Sequence, residues 1–341
     1  MIIYQKKGVK NAKIYYNVLG IGNAVTDIFV EVEVPFLKKN NLVEGTMKLV
    51  DEVFIMDLLK DLKISKTYAG GSVANTLSTI SKLGGKCAFI GSRKNDKYGK
   101  LFSNSMEQEK IELLNKENEE GKASSLCLVL VTPNGERTMC TYLGASTNLN
   151  NDNLELSSFT KSNLIYLEGY LFDLPDAKEI FYKVVDKAKE NNYQVALSLS
   201  DSFCVERHRK DFIKLINKKL NILFANENEI KALYECDKKE ALENAGKNVN
   251  VAIATLGPEG SLVYNEKQFI KSEAFKVEVI DTTGAGDNYA AGFLYMYGMN
   301  APLIDCMNAG SLCASETIKF LGARPTSNLK NLLIENNIIK N

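Results

Sequence analysis

The sequence predicts an α/β protein with a mostly parallel central sheet, helices on both of its faces in a three-layer α/β/α arrangement, and a small β-sheet lid. Three observations carry this expectation. Apolar, β-branched runs of strand length recur along the chain; several lead into charged stretches of helical period; and two regions break that alternation and read as strands alone. Strands buried on both faces of a parallel sheet take the form of such continuous apolar runs.

In chain order, residues 15–22 form the first run. Residues 27–34 and 47–50 follow as strands with little helix nearby. Tyr68-Ala69-Gly70-Gly71-Ser72 then opens an apolar helix that ends at Leu83-Gly84-Gly85, ahead of a strand at 87–91. Residues 125–131 and 138–143 make a hairpin across Pro133-Asn134-Gly135. The lid is therefore expected from two places, about 27–50 and 123–145, over a single domain spanning 1–341. Alternation resumes with strands at 164–169, 194–199, 222–225 and 249–256 and helices at 176–191, 205–218 and 227–234. Last come an alternating strand over 277–281 and a helix whose first turn holds Asp287.

Composition narrows the chemistry. With 341 residues, 45% hydrophobic and 25% charged, the chain is globular, which excludes disordered, fibrous and disulfide-scaffold classes. Its 42 basic and 42 acidic side chains cancel, leaving no global field for nucleic acid or an anionic membrane. One histidine, His208, removes multi-histidine metal sites and leaves none to spare for a His-based triad, so catalysis must lean on carboxylates, amides and glycines. The seven cysteines form no CxxC pair and read as buried thiols of a reducing compartment. Residues 1–13 carry lysines with no apolar stretch behind them, and no run approaches a membrane span. A soluble, cytoplasmic monomer or homodimer acting on a small molecule is expected.

Two segments carry chemistry. In Asp281-Thr282-Thr283-Gly284-Ala285-Gly286-Asp287, glycines let backbone N–H groups approach an anion, and the helix N-terminus that follows adds positive potential. Phosphate is the natural guest. Asp287 beside it can take a proton from an acceptor hydroxyl, although alone it would serve equally as dipole compensation. In Gly70-Gly71-Ser72-Val73-Ala74-Asn75, Ser72 and Asn75 share a helix face and offer hydrogen bonds suited to sugar hydroxyls, with an N-cap as the alternative for Ser72.

Together these segments resemble the two signatures of the ribokinase-like, or PfkB, family of carbohydrate and nucleoside kinases. The likeness spans roughly residues 17–326 and includes Gly22-Asn23-Ala24-Val25-Thr26-Asp27 and Asn226-Glu227-Asn228-Glu229. It implies a ribokinase-like fold, ATP and Mg²⁺ as cofactors, Asp287 as catalytic base, and Gly284, Ala285 and Gly286 as the anion hole. Asn226 and Glu229 match the family's Asn-x-x-Glu motif, with Glu229 helping to hold Mg²⁺ through water, as suits an ion that dehydrates reluctantly. Thr255, Gly257 and Gly260 match the strand and turn that receive ATP, and Asn308 falls near the adenine pocket. Asn23 and Asp27, with Gly70, Gly71, Ser72 and Asn75, fall where the family binds its acceptor, and Arg137 on the lid reaches toward substrate or phosphate. Asp281 and Thr283 resemble the monovalent-cation (K⁺) site of some members.

Within the family, Thr141-Tyr142-Leu143-Gly144-Ala145-Ser146 and Tyr166-Leu167-Glu168-Gly169-Tyr170 are similar to the adenosine kinase branch. A purine needs an aromatic shelf, for which Tyr142, Tyr170 and Phe172 are available. The competing expectation is a kinase for ribose, fructose or another small sugar; outside the class stands a catalytically silent nucleoside-binding protein. A dinucleotide fingerprint fails because Val25 occupies the third glycine position, and a Walker A loop is absent.

Overall fold

The computed structural model describes residues 15–150, 154, 159–191 and 193–340. The amino-terminal segment 1–13 considered above lies outside the described residues. In chain order the strands are β1 (Tyr16–Ile21), β2 (Val25–Glu31), β3 (Met47–Leu49), β4 (Lys66–Gly70), β5 (Cys87–Ile90), β6 (Ile111–Leu113), β7 (Ser125–Val131), β8 (Arg137–Tyr142), β9 (Ser162–Glu168), β10 (Gln194–Ser198), β11 (Ile222–Asn226), β12 (Val251–Thr255), β13 (Ser261–Asn265) and β14 (Gln268–Ser272).

Nine of them form one sheet in the order β14-β13-β12-β11-β10-β9-β1-β5-β6. It is parallel from β12 to β6 and closes at the other edge with the antiparallel hairpin β13–β14. Both faces are covered, as the apolar runs required. In β9, Ile165 and Leu167 enter the core shared with helices Pro175–Asn191, Ser202–Ile216, Glu227–Tyr234 and Lys238–Gly246, while Leu164 and Tyr166 enter the opposite core. That second core is closed by helices Ser72–Lys82, Lys97–Gln108, Ala285–Tyr297, Leu303–Thr317 and Leu329–Glu335. This is the ribokinase-like α/β fold. Among the described residues no helix is long and apolar enough to cross a membrane.

The remaining strands form a five-stranded sheet, β3-β8-β7-β2-β4. Its alternation separates two faces. Leu126, Leu128 and Leu130 of β7 join Ile28, Val30 and Cys140 in an outer cluster, whereas Cys127 and Val129 join Val25 and Phe29 on the inner face. Contrary to the expectation of little helix here, helices Val34–Lys39 and Glu52–Lys60 cover the outer face, burying Leu37, Ile55 and Leu58. An apolar sheet face needs such a cover, and Asp51 caps the second helix by accepting from Phe54 N.

Three further differences from the sequence reading have physical causes. Residues 277–281 form no strand: Val279 and Ile280 are exposed, and the backbone N–H groups of Ile280 and Asp281 both donate to Ile318 O, at 2.8 and 3.2 Å. Strand β4 escaped notice because most of it is polar and outward-facing at a sheet edge. The hairpin β13–β14 was unforeseen because its second strand is largely exposed.

Candidate functional site

A cleft of about 870 Å³ lies between the inner face of the smaller sheet and the carboxyl ends of the parallel strands. Ser198, Asn226 and Thr255, at the ends of β10, β11 and β12, form its floor, with Phe29, Cys127, Val129 and Met139 opposite. Open α/β sheets place ligands at this end of their strands.

Two helix starts meet in the cleft. Helix Ala285–Tyr297 begins after Gly284, whose φ of 76° is left-handed and whose absent side chain lets Ala323 pack beneath it. The first intrahelical bond runs from Asn288 N to Gly284 O at 2.9 Å, so the N–H groups of Ala285, Gly286 and Asp287 precede the ladder. Ala285 N turns back to Thr282 O at 3.2 Å, whereas a Cβ at Gly286 would meet nothing within 4 Å. Gly286 therefore gives an anion open access to the amides of this turn.

Asp287 is held from the second helix. Ser72 Oγ donates to its Oδ1 at 2.6 Å and Asn75 Nδ2 to its Oδ2 at 3.0 Å. Burial raises the Asp287 pKa, against the two hydrogen bonds and the nearby Arg324 guanidinium, which lower it. Ser72 and Asn75, expected to face sugar hydroxyls, line the cleft but have their donors on this carboxylate. Gly71 has φ 94°, and a Cβ there would lie 2.3 Å from Asn23 O. A Cβ on Gly70 would similarly strike the Asp27 carboxyl. These two glycines make room and do not line the cleft.

Asp27 faces the cleft, with its pKa pushed up to about 7 by burial; Arg324 pulls it down and Asp287 adds to the rise. Asn23 lies behind the wall, where its Nδ2 donates to Glu168 Oε1 at 2.6 Å. Glu168 also accepts from Val73 N at 3.1 Å and, 1% exposed, is pushed by burial to about 7.

Arg137 crosses from the smaller sheet to the glycine turn. Its Nη1 lies 2.5 Å from Asp281 Oδ2 and donates to Thr283 Oγ1 at 2.8 Å, while its Nη2 is buried without a partner. Asp281 also accepts from Thr283 N at 2.9 Å and Gly322 N at 2.6 Å. Asn226 and Glu229 form a reciprocal capping box: Asn226 N and Nδ2 donate to the Glu229 carboxylate, and Glu229 N to Asn226 Oδ1. Burial pushes Glu229 to about 7 as well, against the Asn226 N–H and with Asp201 and Asp287 adding to the rise. Among the described residues no group of three or more His, Cys, Asp or Glu could cage a metal ion.

Thr255 and Gly257 line the cleft, but Gly260 and Asn308 do not. Gly260 serves the turn into β13, and Asn308 Oδ1 accepts from Ser272 Oγ at 2.7 Å at the end of β14. Of the aromatic shelf, only Tyr170 reaches the cleft. Tyr142 points to the outer face of the smaller sheet, because the strand alternation puts it with Leu126 and Leu128, and its hydroxyl donates to Glu52 at 2.8 Å. Phe172 is core, stacked 4.0 Å from Phe212. The apolar lining comes instead from Phe29, Val129 and Met139. Arg324 and Glu168 had no assigned role in the sequence reading. A charge closing an apolar strand flags Glu168; only Gly322-Ala323-Arg324-Pro325, too short to interpret, flags Arg324.

Comparison with known proteins adds a second line. The chain superposes on a probable sugar kinase from Rhizobium etli CFN 42 with a TM-score of 0.88 and 32% identity, covering 96% of this chain and 100% of that one. It matches the adenosine kinase from Sinorhizobium meliloti with a TM-score of 0.87 and 35% identity, over 94% and 99% of the two chains. An adenosine kinase of Saccharomyces cerevisiae is 25% identical over 327 residues, 89% of this chain and 94% of that one. Residues 57–330 match the pfkB family of carbohydrate kinases, and the protein belongs to that family.

Proposed function

We propose that this kinase transfers the γ-phosphoryl group of ATP to the 5′-hydroxyl of adenosine or a closely related nucleoside. The observation that carries this reading is the apolar inner face of the smaller sheet, where Phe29, Val129 and Met139 line the cleft with Cys127. A flat, weakly polar base gains from such a wall, whereas a free sugar leaves it without a partner. Asp27 then suits the ribose hydroxyls.

In the reaction the acceptor oxygen bonds to the γ-phosphorus as the bond to the β-phosphate bridging oxygen breaks, and the hydroxyl proton passes to Asp287. The turn Gly284-Ala285-Gly286 receives the charge of the transferring group, chiefly through the Gly286 and Asp287 N–H groups since Ala285 N is held by Thr282 O, and the unpartnered Arg137 Nη2 supports the same role. Mg²⁺ would neutralise the phosphate oxygens. Glu229 fits it through water, because both carboxylate oxygens already accept from Asn226 and no protein cage surrounds it among the described residues. A small-sheet lid closing over the cleft would keep water from the transfer.

The sugar-kinase reading draws on the Rhizobium etli likeness. A panel of acceptors with purified protein separates the two: turnover of adenosine well above that of ribose or fructose is expected, and turnover of a free sugar without adenosine would overturn the assignment.

A further inference from the structure

We propose that Arg324 is a positioning residue for the transfer base: it locks the Asn75 side-chain amide so that its N–H, and not its carbonyl, meets Asp287. The inference rests on reading Asp287 as the base and holds for either acceptor. Its starting point is the guanidinium itself, which donates hydrogen bonds and accepts none. Arg324 Nε donates to Asn75 Oδ1 at 3.1 Å, so the amide oxygen must face the arginine. Asn75 Nδ2 is then left for Asp287 Oδ2, at 3.0 Å. The two ends of an amide are nearly the same shape, so without a neighbour to fix them they can exchange. Exchange here would set a carbonyl oxygen against a carboxylate oxygen and favour protonated Asp287, which is no base.

The arginine is itself anchored. Its Nη1 lies 3.4 Å from Ser105 Oγ, on the helix Lys97–Gln108, and 2.9 Å from Oε2 of Glu109, which caps that helix at its carboxyl end, and its side chain is 11% exposed. A line of contacts thus runs from Glu109 through Arg324 and Asn75 to Asp287. The groups that act electrostatically on or beside Asp287 are Asp27 from β2, Tyr166 and Glu168 from β9, Tyr170 after it, Glu229 from the helix following β11, and Arg324. Three of these six are carboxylic acids and two are tyrosines whose hydroxyls burial makes harder to ionise, so the arginine is the positive group among them. Removing it acts on Asp287 twice in one direction, through its charge and through the amide.

The test uses Arg324→Met, Arg324→Lys, Asn75→Ala and the double variant Asn75→Ala/Arg324→Met, assayed over pH with ATP and the acceptor that supports turnover. Arg324→Met should lower kcat by about tenfold or more with the KM for ATP nearly unchanged, as expected for a lost hydrogen bond to a charged group's support. The acid limb of kcat should move to higher pH, and Arg324→Lys should recover part of both effects. In the Asn75→Ala background the same arginine change should cost far less. An unmoved acid limb, or an equal loss in both backgrounds, would overturn the proposal. If Arg324→Met does not fold, Glu109→Gln, which leaves the arginine but loosens its anchor, must shift the limb in the same direction. Asp287→Asn is the control: full activity there would refute the base assignment itself, independently of Arg324.

Discussion

The helices Ser72–Lys82 and Ala285–Tyr297 both start on glycines of positive φ and meet end to end in the cleft, yet their glycines do different work. At Gly71 the missing side chain is filled by backbone, with Asn23 O only 2.3 Å from where a Cβ would lie. At Gly284 the space is likewise filled, by Ala323, but two residues on, at Gly286 inside the first turn, it is open. One turn is a structural clearance that delivers donors to a carboxylate; the other delivers the carboxylate and leaves its amides open, as the proposed anion cradle requires. A glycine-rich helix start thus specifies function only when the space beside it is empty.

The largest expected effect breaks the contrast at its shared point. Asp287→Asn should reduce kcat by about 10²–10⁴-fold while calorimetry shows ATP still bound, since the substitution removes the proton acceptor and leaves the amides. Next, alanine at the two glycines should divide kinetics from stability. Gly286→Ala should lower turnover by about tenfold or more through crowding of the cradle, with thermal stability kept or slightly raised. Gly71→Ala should lower stability by about 1–3 kcal/mol in denaturant titration, from left-handed strain and the Asn23 contact. Equal melting behaviour of the two variants would erase the distinction.

A smaller effect is expected at Ser72. Ser72→Ala removes the 2.6 Å hydrogen bond that favours the ionised form of Asp287 against its burial. The pKa should therefore rise further, moving the acid limb of kcat to higher pH, with about a tenfold loss at neutrality. The smallest effect concerns K⁺. Asp281 already accepts from Arg137, Thr283 and Gly322, so exchanging K⁺ for Na⁺ should leave turnover unchanged in a steady-state assay.

The sequence was legible where one residue's neighbours in the chain decide its environment. Strands β1, β5 and β9–β12 stood out because burial on both faces makes their central residues apolar, and the Asn226–Glu229 cap is a local motif. Residues 277–281 alternate like a strand but find no partner, because the sheet already ends at β14 and Ile318 takes their N–H groups. Tyr142 carries the right chemistry for a base shelf, but the register of β7 and β8 turns it outward. Arg324 was out of reach for another reason: it meets Asn75 across 249 positions, and no local pattern encodes that contact.

That separation has a consequence for how the protein comes into being. The glycine turn rests on Ala323, Asp281 takes Gly322 N, Asn288 donates to Ala323 O at 2.8 Å, and Arg324 reaches back to Asn75. A chain growing from its amino terminus has both signature segments once Asp287 is made, 35 residues before Gly322, the first of the partners Gly322, Ala323 and Arg324. During synthesis both signatures are therefore present before the geometry that joins them, and phosphoryl transfer must wait for Gly322-Ala323-Arg324 to emerge and fold back.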